Sequence, residues 1–563
     1  VESNGAGAAG ATADGRPPTA DLSLKAWPVN LILTPDLQPF AGGRLLATAE
    51  LNRMLVINAN RWADERGAVI AEAQTIVAKA RASAEPRTPL ELDATTMEAV
   101  IDDIARKYEK EKTLDAMTAA FLFRYAARTK HENIRTLAAE WLRTLAAGPV
   151  RDQLGGGFHR CATCYEKTLP DQALLALAYL DAWQITRDPD LAHVARTTLD
   201  FVIRDLFPRR GLFDSAQDSH SLVPGQGPVF VEGAFYVWTR EEITHLLGHE
   251  AAGKVFKLYG IREGVENRLA LEHPRFLHET YDELAAPLQK LLDVRQRRPS
   301  AFRETAMSGW NGLMISALAR GSVVLNNSDY LEAAAAAATL ASTRFWNAQT
   351  KTLYRTESRT EAIAEDYAMM VQGLLDLFEG TYDVKWLRLA IAMQQRQDQL
   401  FWSASLGRYA TGTTAPEIVR GLLSERDEDT PGVNSAAAVN LLRLASLTGN
   451  ETWRSRPAMI FQSFGGRLRT AGALHSQLAA AYETSLIAPS IVVVTGERHS
   501  KETYDVLRAL HDRWEPMRSV IFLPRKGAAR DRVVQALPFT RALAPDPEHT
   551  IVYVCAKGEC RKQ

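Results

Sequence analysis

Cysteine is scarce in this chain of 563 residues: there are four, in two close pairs, Cys161/Cys164 and Cys555/Cys560. Four is too few for a disulfide-built scaffold. Excess charge is lacking too. Lys and Arg total 66 against 67 Asp and Glu, a formal net charge of −1, so no global field favours nucleic acid or an anionic membrane. No uninterrupted apolar run approaches the roughly 18–20 residues of a membrane span. No charged start followed by an apolar run marks a signal peptide. These absences point to a soluble protein, cytoplasmic in preference to secreted or periplasmic. The hydrophobic fraction of 46% and charged fraction of 24% are those of a globular chain, and the length calls for two or three domains.

Along the chain, residues 1–23 begin with a Gly/Ala/Pro-rich stretch that can bury little and read as a disordered leader. Trp27–Asp36 is a short apolar, β-branched run entering a Pro-Asp turn, so it reads as a strand. Pro39–Gly43 reads as the return strand or its loop, and Arg44 to Ala84 as helical. From Leu92 to Thr484 the pattern changes to amphipathic segments separated by short Gly/Pro/Asp breaks, from Thr95–Tyr108 to Leu474–Ala481. Short connections make successive helices antiparallel neighbours, so the unit is a helical hairpin. About six such hairpins predict a closed toroid. An open solenoid would show a repeat period, which is not found. Strand-like pieces are few and lie in loops, Gly233–Trp238 among them. The tail turns α/β, with strands at Ser490–Thr495, Ser519–Leu523 and Thr550–Val554 and a helix at Lys501–Trp514. The expected layout is residues 1–23 leader, 24–88 α/β piece, 89–485 toroid and 486–563 small α/β region.

Several motifs together resemble one family. Trp27–Gly43 is similar to the second half of its thioredoxin-like domain. Gly155-Gly-Gly-Phe-His-Arg160, Glu166-Lys167, Phe213–Asp218, Glu232–Thr239, Trp310–Ile315, Glu365–Ala368, Arg426-Asp427 with Asn434-Ser435, and Tyr553–Cys555 with Cys560 resemble the rest. The family is the YyaL-type thioredoxin-domain proteins, which include spermatogenesis-associated relatives. The resemblance implies a mainly α fold: a thioredoxin-like domain followed by an (α/α)6 toroid akin to N-acylglucosamine 2-epimerases and six-hairpin glycosidases. Two departures stand out. Everything before Leu24 is replaced by the low-complexity leader, so the thioredoxin-like half is truncated and its Cys-x-x-Cys helix start is missing. The family's His-Phe-Glu-Lys-Met-Leu-Tyr-Asp is here Cys164 to Asp171, with a thiol in place of a His suited to move protons near neutral pH. Pro28 stands where the family's cis-proline would be.

In such a toroid the loops converge on a funnel suited to a sugar-like ligand. Glu166, Asp218, Glu365 and Asp366 are the candidate acid/base set, since burial can split carboxyl pKa values. Lys167, Asp171, Glu232, Trp238, Trp310, Asn311, Tyr367 and Asp427 are candidate substrate contacts, the rings offering apolar faces to sugars. The competing reading makes Asn311 and Asp366 helix caps. Cys161, Cys164, Cys555 and Cys560, with His159, are weak candidates for a metal site; local disulfides or free thiols are the alternatives. His245 and His249, four apart on an expected helix, lack a His-Glu-x-x-His order and read as surface residues. No Gly-Lys-Ser/Thr follows the glycine runs, so no phosphate loop is expected, and no cofactor is assigned. Two functions are expected in competition: a carbohydrate-active protein with epimerase-, isomerase- or glycosidase-like chemistry, or an inactive scaffold that binds a protein partner. Thiol redox chemistry at Cys161/Cys164 is a third.

Overall fold

The computed structural model describes residues 29–44, 46, 48–84, 89–162, 164–208, 211–223, 229–260, 277–300, 302–303, 305–411, 426–556 and 559–563. Pro28 lies outside them. The chain divides into two compact units, residues 1–88 with 411–424, and residues 89–410 with 425–563.

In the first unit, β1 (Val29–Leu33) and β2 (Pro39–Arg44) form an antiparallel hairpin. Its turn is closed by Leu37 N–H donating to Thr34 O at 2.8 Å. The single helix expected to Ala84 is two, α1 (Thr48–Asp64) and α2 (Arg66–Ala84), broken at Glu65. Phe40, Ala41, Val69 and Ala73 form a small core with the Trp62 ring stacked on Phe40.

The second unit is an (α/α)6 toroid. Its inner helices are α4 (Ala116–Thr129), α6 (Leu169–Thr186), α11 (Ser308–Leu325), α13 (Ala364–Thr381), α15 (Val433–Thr448) and α17 (Ser476–Ser485). Each packs on the next, and α17 returns to α4, so the ring is closed. That closure excludes the solenoid. The outer layer is α3 (Ala94–Glu111), α5 (Glu132–Ala147), α7 (Pro189–Phe201), α12 (Ser328–Arg344), α14 (Val384–Phe401) and α16 (Glu451–Ala471). Nearly all of α11 and α13 is buried, as befits helices apolar all round. Gly312 and Gly373 let these two backbones touch: a Cβ on Gly373 would lie 2.2 Å from Gly312 O. The seam joins distant chain, with Thr118 Oγ1 2.9 Å from Ser476 Oγ and Arg128 paired to Glu483.

Turns from inner to outer helix are short. Each passes through one residue at positive φ, namely Lys130, Arg187, Asn326, Tyr382 and Gly449, and four of the five are followed at once by an Asp or Asn that caps the outer helix. The long connections all precede inner helices. They carry α8 (Arg240–Leu247), α9 (His249–Tyr259) and α10 (Leu277–Arg295). They also carry short strands, β3 (Lys167–Thr168), β4 (Ala216–Gln217), β5 (His220–Leu222), β6 (Phe230–Glu232), β7 (Phe302–Arg303), and two hairpins, β8–β9 and β10–β11, at Trp346–Leu353 and Trp402–Tyr409. Two local expectations are corrected. Gly233–Tyr236 is a turn rather than a strand, because Gly233 sits at φ +78° and Tyr236 and Val237 N–H both donate to its carbonyl. His245 and His249 lie on separate helices, broken at Gly248 with φ +77°.

The tail forms a four-stranded sheet ordered β13-β12-β14-β15, from β12 (Ser490–Gly496), β13 (Arg518–Pro524), β14 (Ile551–Ala556) and β15 (Glu559–Lys562). β12 and β13 are parallel, joined through α18 (Lys501–Asp512); α19 (Ala528–Ala536) follows. The period-2 alternation sends Val493 and Ile521 into the toroid's core and Val492, Val494 and Phe522 against α18. No helix among the described residues is long and apolar enough to cross a membrane.

Candidate functional site

The long connections converge on the N-terminal ends of the inner helices and make a mouth. Arg160, just before the Cys161–Cys164 pair, ties two of its walls. Its guanidinium lies 3.6 Å from Asp171 on α6, 3.9 Å from Glu166 and 2.7 Å from Asp429, ahead of α15. Asp171 also accepts from the Thr168 hydroxyl at 2.5 Å. Burial pushes its carboxyl up to about 6 against the pull of that hydroxyl and Arg160.

Glu365, in the first turn of α13, is the least compensated group there. Among the described residues its carboxyl has no hydrogen bond or ion pair. Burial, with Asp366 and Glu428 nearby, pushes it up to about 7, and Arg355 is too weak a counterweight. Asp366 beside it is spoken for: it accepts from Ile363 N–H at 3.0 Å and Arg355 at 3.2 Å, and is 1% exposed. So it does serve the helix start.

Other candidates are placed within the frame. Asn311 clamps a passing chain, accepting from Phe213 N–H at 2.9 Å and donating to Phe213 O at 3.2 Å. Trp238 is buried in a side cluster with Ile243 and Tyr259, with Arg298 over its ring. Tyr367 is buried, its hydroxyl accepting from Leu353 N–H at 3.0 Å. Asp427 accepts from Gly432, Gln477 and Leu478 N–H at 2.9, 2.9 and 3.2 Å, fixing the start of α17. Lys167 is fully buried; its ammonium donates to Asp152 at 2.6 Å and to Gly156 O at 2.8 Å, and Arg295 holds the same carboxylate bidentately. Burial opposes the charge on Asp152, yet Arg295 and Lys167 keep it well below its usual range. Asp218 is half-buried and accepts from His220 N–H at 3.0 Å; Glu232 is exposed on β6; Trp310 is partly buried in the first turn of α11.

The four cysteines do not meet around a metal. Cys161–Cys164 and Cys555–Cys560 are each a disulfide, and no group of three or more metal-ligating side chains occurs among the described residues. His159 Nδ1–H donates to Tyr165 O, 2.9 Å away, and the ring packs edge-on against Tyr236. His475, at the start of α17, is buried with its ring edge-on to Phe464, and burial together with Arg467 and Arg426 pushes it down to about 3.

Deeper in the lumen is a cluster that sequence reasoning missed. A cavity of about 200 Å³ runs from Met117 and Gln477 down to the tail segment Leu510–Val520, which closes the other end. Asp181 there takes Arg320 at 2.6 Å, Arg124 at 3.2 Å and the Trp514 indole N–H at 3.0 Å. Arg443 takes Asp376 at 2.8 Å and Glu379 at 2.9 Å. Burial opposes the charge on Asp181, but Arg320 and Arg124 hold its carboxyl below the usual range. The available signal was a charge inside an otherwise apolar helix: Asp181, Arg320 and Asp376 interrupt the most hydrophobic segments of the chain.

No family model matches the chain. Spermatogenesis-associated protein 20 of Homo sapiens is similar to it, 28% identical over 617 residues, covering 96% of this chain and 78% of that protein. An uncharacterized protein of Caenorhabditis elegans is 23% identical over 606 residues, covering 95% and 81%. Among solved structures, the cellobiose 2-epimerase of Bacillus thermoamylovorans superposes with a TM-score of 0.38 at 11% identity, over 62% of this chain and 74% of that one. A GH76 α-mannanase of Bacteroides thetaiotaomicron gives 0.37 at 11% identity, over 66% and 86%. The toroid itself is established by the helix packing.

Proposed function

We propose that the chain is a carbohydrate-active protein whose mouth moves a proton on a sugar, with Glu365 as the acid/base group. The observation that carries this is the Glu365 carboxyl. It is half-buried, without a hydrogen-bonding partner among the described residues, and pushed up to about 7, which puts it near the optimum for exchanging protons at neutral pH. Asp171, at about 6, is a second titrating carboxyl, in the first turn of α6. The chemistry follows from the charge that develops. In an epimerase or isomerase, Glu365 in its carboxylate form removes the proton next to the carbonyl of an open-chain sugar and returns it to the other face or the neighbouring carbon, while Arg355 and Arg160 favour the transient oxyanion. In a glycosidase, protonated Glu365 donates to the leaving oxygen, with Asp171 or Glu166 as its partner. Asp366 fixes the helix start that carries Glu365, Asp218 remains a further acid/base candidate, and Trp310 would be the aromatic platform.

One observation favours the competing reading of an inactive scaffold that holds a protein partner. Cys164 occupies the position of the family's His and is in a disulfide, while His159 and His475 are both buried. The first unit is read as thioredoxin-like from the resemblance carried by Trp27–Gly43.

Proton NMR in D2O with reducing monosaccharides and linked disaccharides tests the proposal. Deuterium entering a carbon position identifies an isomerase or epimerase, and new reducing ends identify a hydrolase. Either signal must fall in Glu365→Gln. If the wild-type protein gives neither, and calorimetry finds no sugar binding, the catalytic reading is lost and the scaffold stands.

A further inference from the structure

We infer that the closed end of the lumen is a second binding site, built for a small zwitterion carrying one carboxylate and one ammonium group, the chemistry of a free α-amino acid. This rests on the cavity and its charges and is independent of the sugar reading of the mouth.

The first observation is that ionisable side chains line the lumen at all. Replacing a buried ion pair by apolar residues is often neutral or stabilising, so fold stability gives little reason to keep three arginines and three carboxylates on the inner helices around it. The second is room. A cavity of about 200 Å³ greatly exceeds the roughly 10–15 Å³ that one water occupies on such a measure, and these pairs form part of its wall. Their far sides therefore face open volume rather than packed protein.

The third observation is how the charge is arranged. On the wall made by α4, α6 and α11, two guanidiniums, Arg124 and Arg320, share the single carboxylate of Asp181. On the wall made by α13 and α15, two carboxylates, Asp376 and Glu379, share the single guanidinium of Arg443. One wall is a cation in excess and the other an anion in excess, and these six inner-helix groups together are neutral; the tail segment at the closed end adds Arg518, paired with Glu515 at 2.8 Å, and the exposed Arg513. A ligand with net charge would leave an uncompensated ion in a low-dielectric lumen. A neutral molecule with separated charges meets both walls at once, its carboxylate on Arg124 and Arg320 in the fork geometry guanidinium favours, its ammonium on Asp376 and Glu379. Ser316 and Ser519 already donate to those two carboxylates, at 2.5 and 3.2 Å, and fix their orientation. The Trp514 indole N–H does the same for Asp181.

Isothermal titration calorimetry on the full chain tests this with glycine, L-alanine and L-glutamine, against acetate and methylammonium as the separate halves and glucose as a neutral polyol. Binding of at least one amino acid, ten-fold or more tighter than acetate or methylammonium, is expected, with a further loss of ten-fold or more in both Arg320→Gln and Glu379→Gln. The proposal is overturned if no amino acid binds, if either half binds as tightly as the whole, if glucose binds and the amino acids do not, or if both variants fold and bind undiminished. The wild-type panel decides the matter even where a variant fails to fold. Because the mouth is read by sugar turnover and this site by amino-acid binding, either can fail alone.

Discussion

At the closed end of the lumen Asp181, Asp376 and Glu379 each have an arginine nitrogen within 2.9 Å; at the mouth Glu365 has no such partner among the described residues. The same barrel thus holds carboxyl groups in two conditions. Asp181 at the closed end is held below its usual range by Arg320 and Arg124, while Glu379, which shares Arg443 with Asp376, is raised by burial. Glu365 and Asp171 are half-buried without enough positive charge to match, and both are raised, to about 7 and about 6. The difference teaches that burial alone does not make a group reactive. What matters is whether burial has been matched by a counter-charge.

The sharpest way to break that comparison is to remove one carboxylate from each end. Asp181→Ala leaves Arg124 and Arg320 facing each other and is expected to cost about 3–5 kcal/mol in urea unfolding. Glu365→Ala removes an uncompensated group and is expected to cost less than about 1 kcal/mol at pH 8, near the range of unpaired surface changes. Equal losses would mean that the two ends do not differ. In activity the order reverses: Glu365→Gln is expected to lower any sugar turnover by about 10²–10⁴-fold, with folding intact by circular dichroism.

The pH dependence of stability sharpens the point further. The Glu365 carboxyl is raised from 4.5 to about 7 on folding, so between those values the folded state holds a proton that the unfolded state has lost. Its contribution is fully present below about pH 4.5 and disappears as pH rises through about 7. Comparing urea midpoints at pH 5 and pH 8, Glu365→Gln is expected to lose less stability across that interval than the wild type. An identical change in both would place the titration elsewhere. The smaller effects come last. Cys161→Ser opens a disulfide between residues three apart, and so short a loop gives at most about 2 kcal/mol of chain-entropy stabilisation. Arg160→Ala breaks a half-exposed ion pair with Asp429 and is expected to change stability by about 0–1 kcal/mol, while Asp171, freed of its counter-charge, titrates higher by NMR.

Much of the fold was legible because apolar periodicity and breaker residues mark helices and their ends. The six hairpins and the tail strands follow from that. Ring closure was not local information, since it depends on α17 meeting α4. The repeat does exist, but in backbone conformation: a positive-φ residue followed by Asp or Asn at Arg187-Asp188, Asn326-Asn327, Tyr382-Asp383 and Gly449-Asn450, a pattern no residue-identity period reveals. At the mouth, Arg160, Glu166, Asp171 and Glu365 stand in recognisable motifs, whereas Asp429, which pairs with Arg160, and Arg355 and Glu428 near Glu365 do not. Lys167, Trp238 and Tyr367 could be named from side-chain chemistry, but tertiary packing buries all three. The closed-end cluster draws one or two charges from each of α4, α6, α11, α13 and α15, so no single stretch announces it.

The seam between Thr118 and Ser476 spans 358 residues. At a synthesis rate of about 5–20 residues per second, α4 leaves the ribosome roughly 20–70 s before the helix it must meet. Throughout that interval the inner faces of the earlier hairpins have no last neighbour to cover them. The barrel is therefore an object whose final contact is also its latest in time, and damage to that junction is expected to show as trapped, aggregation-prone nascent chain before it shows as a weaker finished protein.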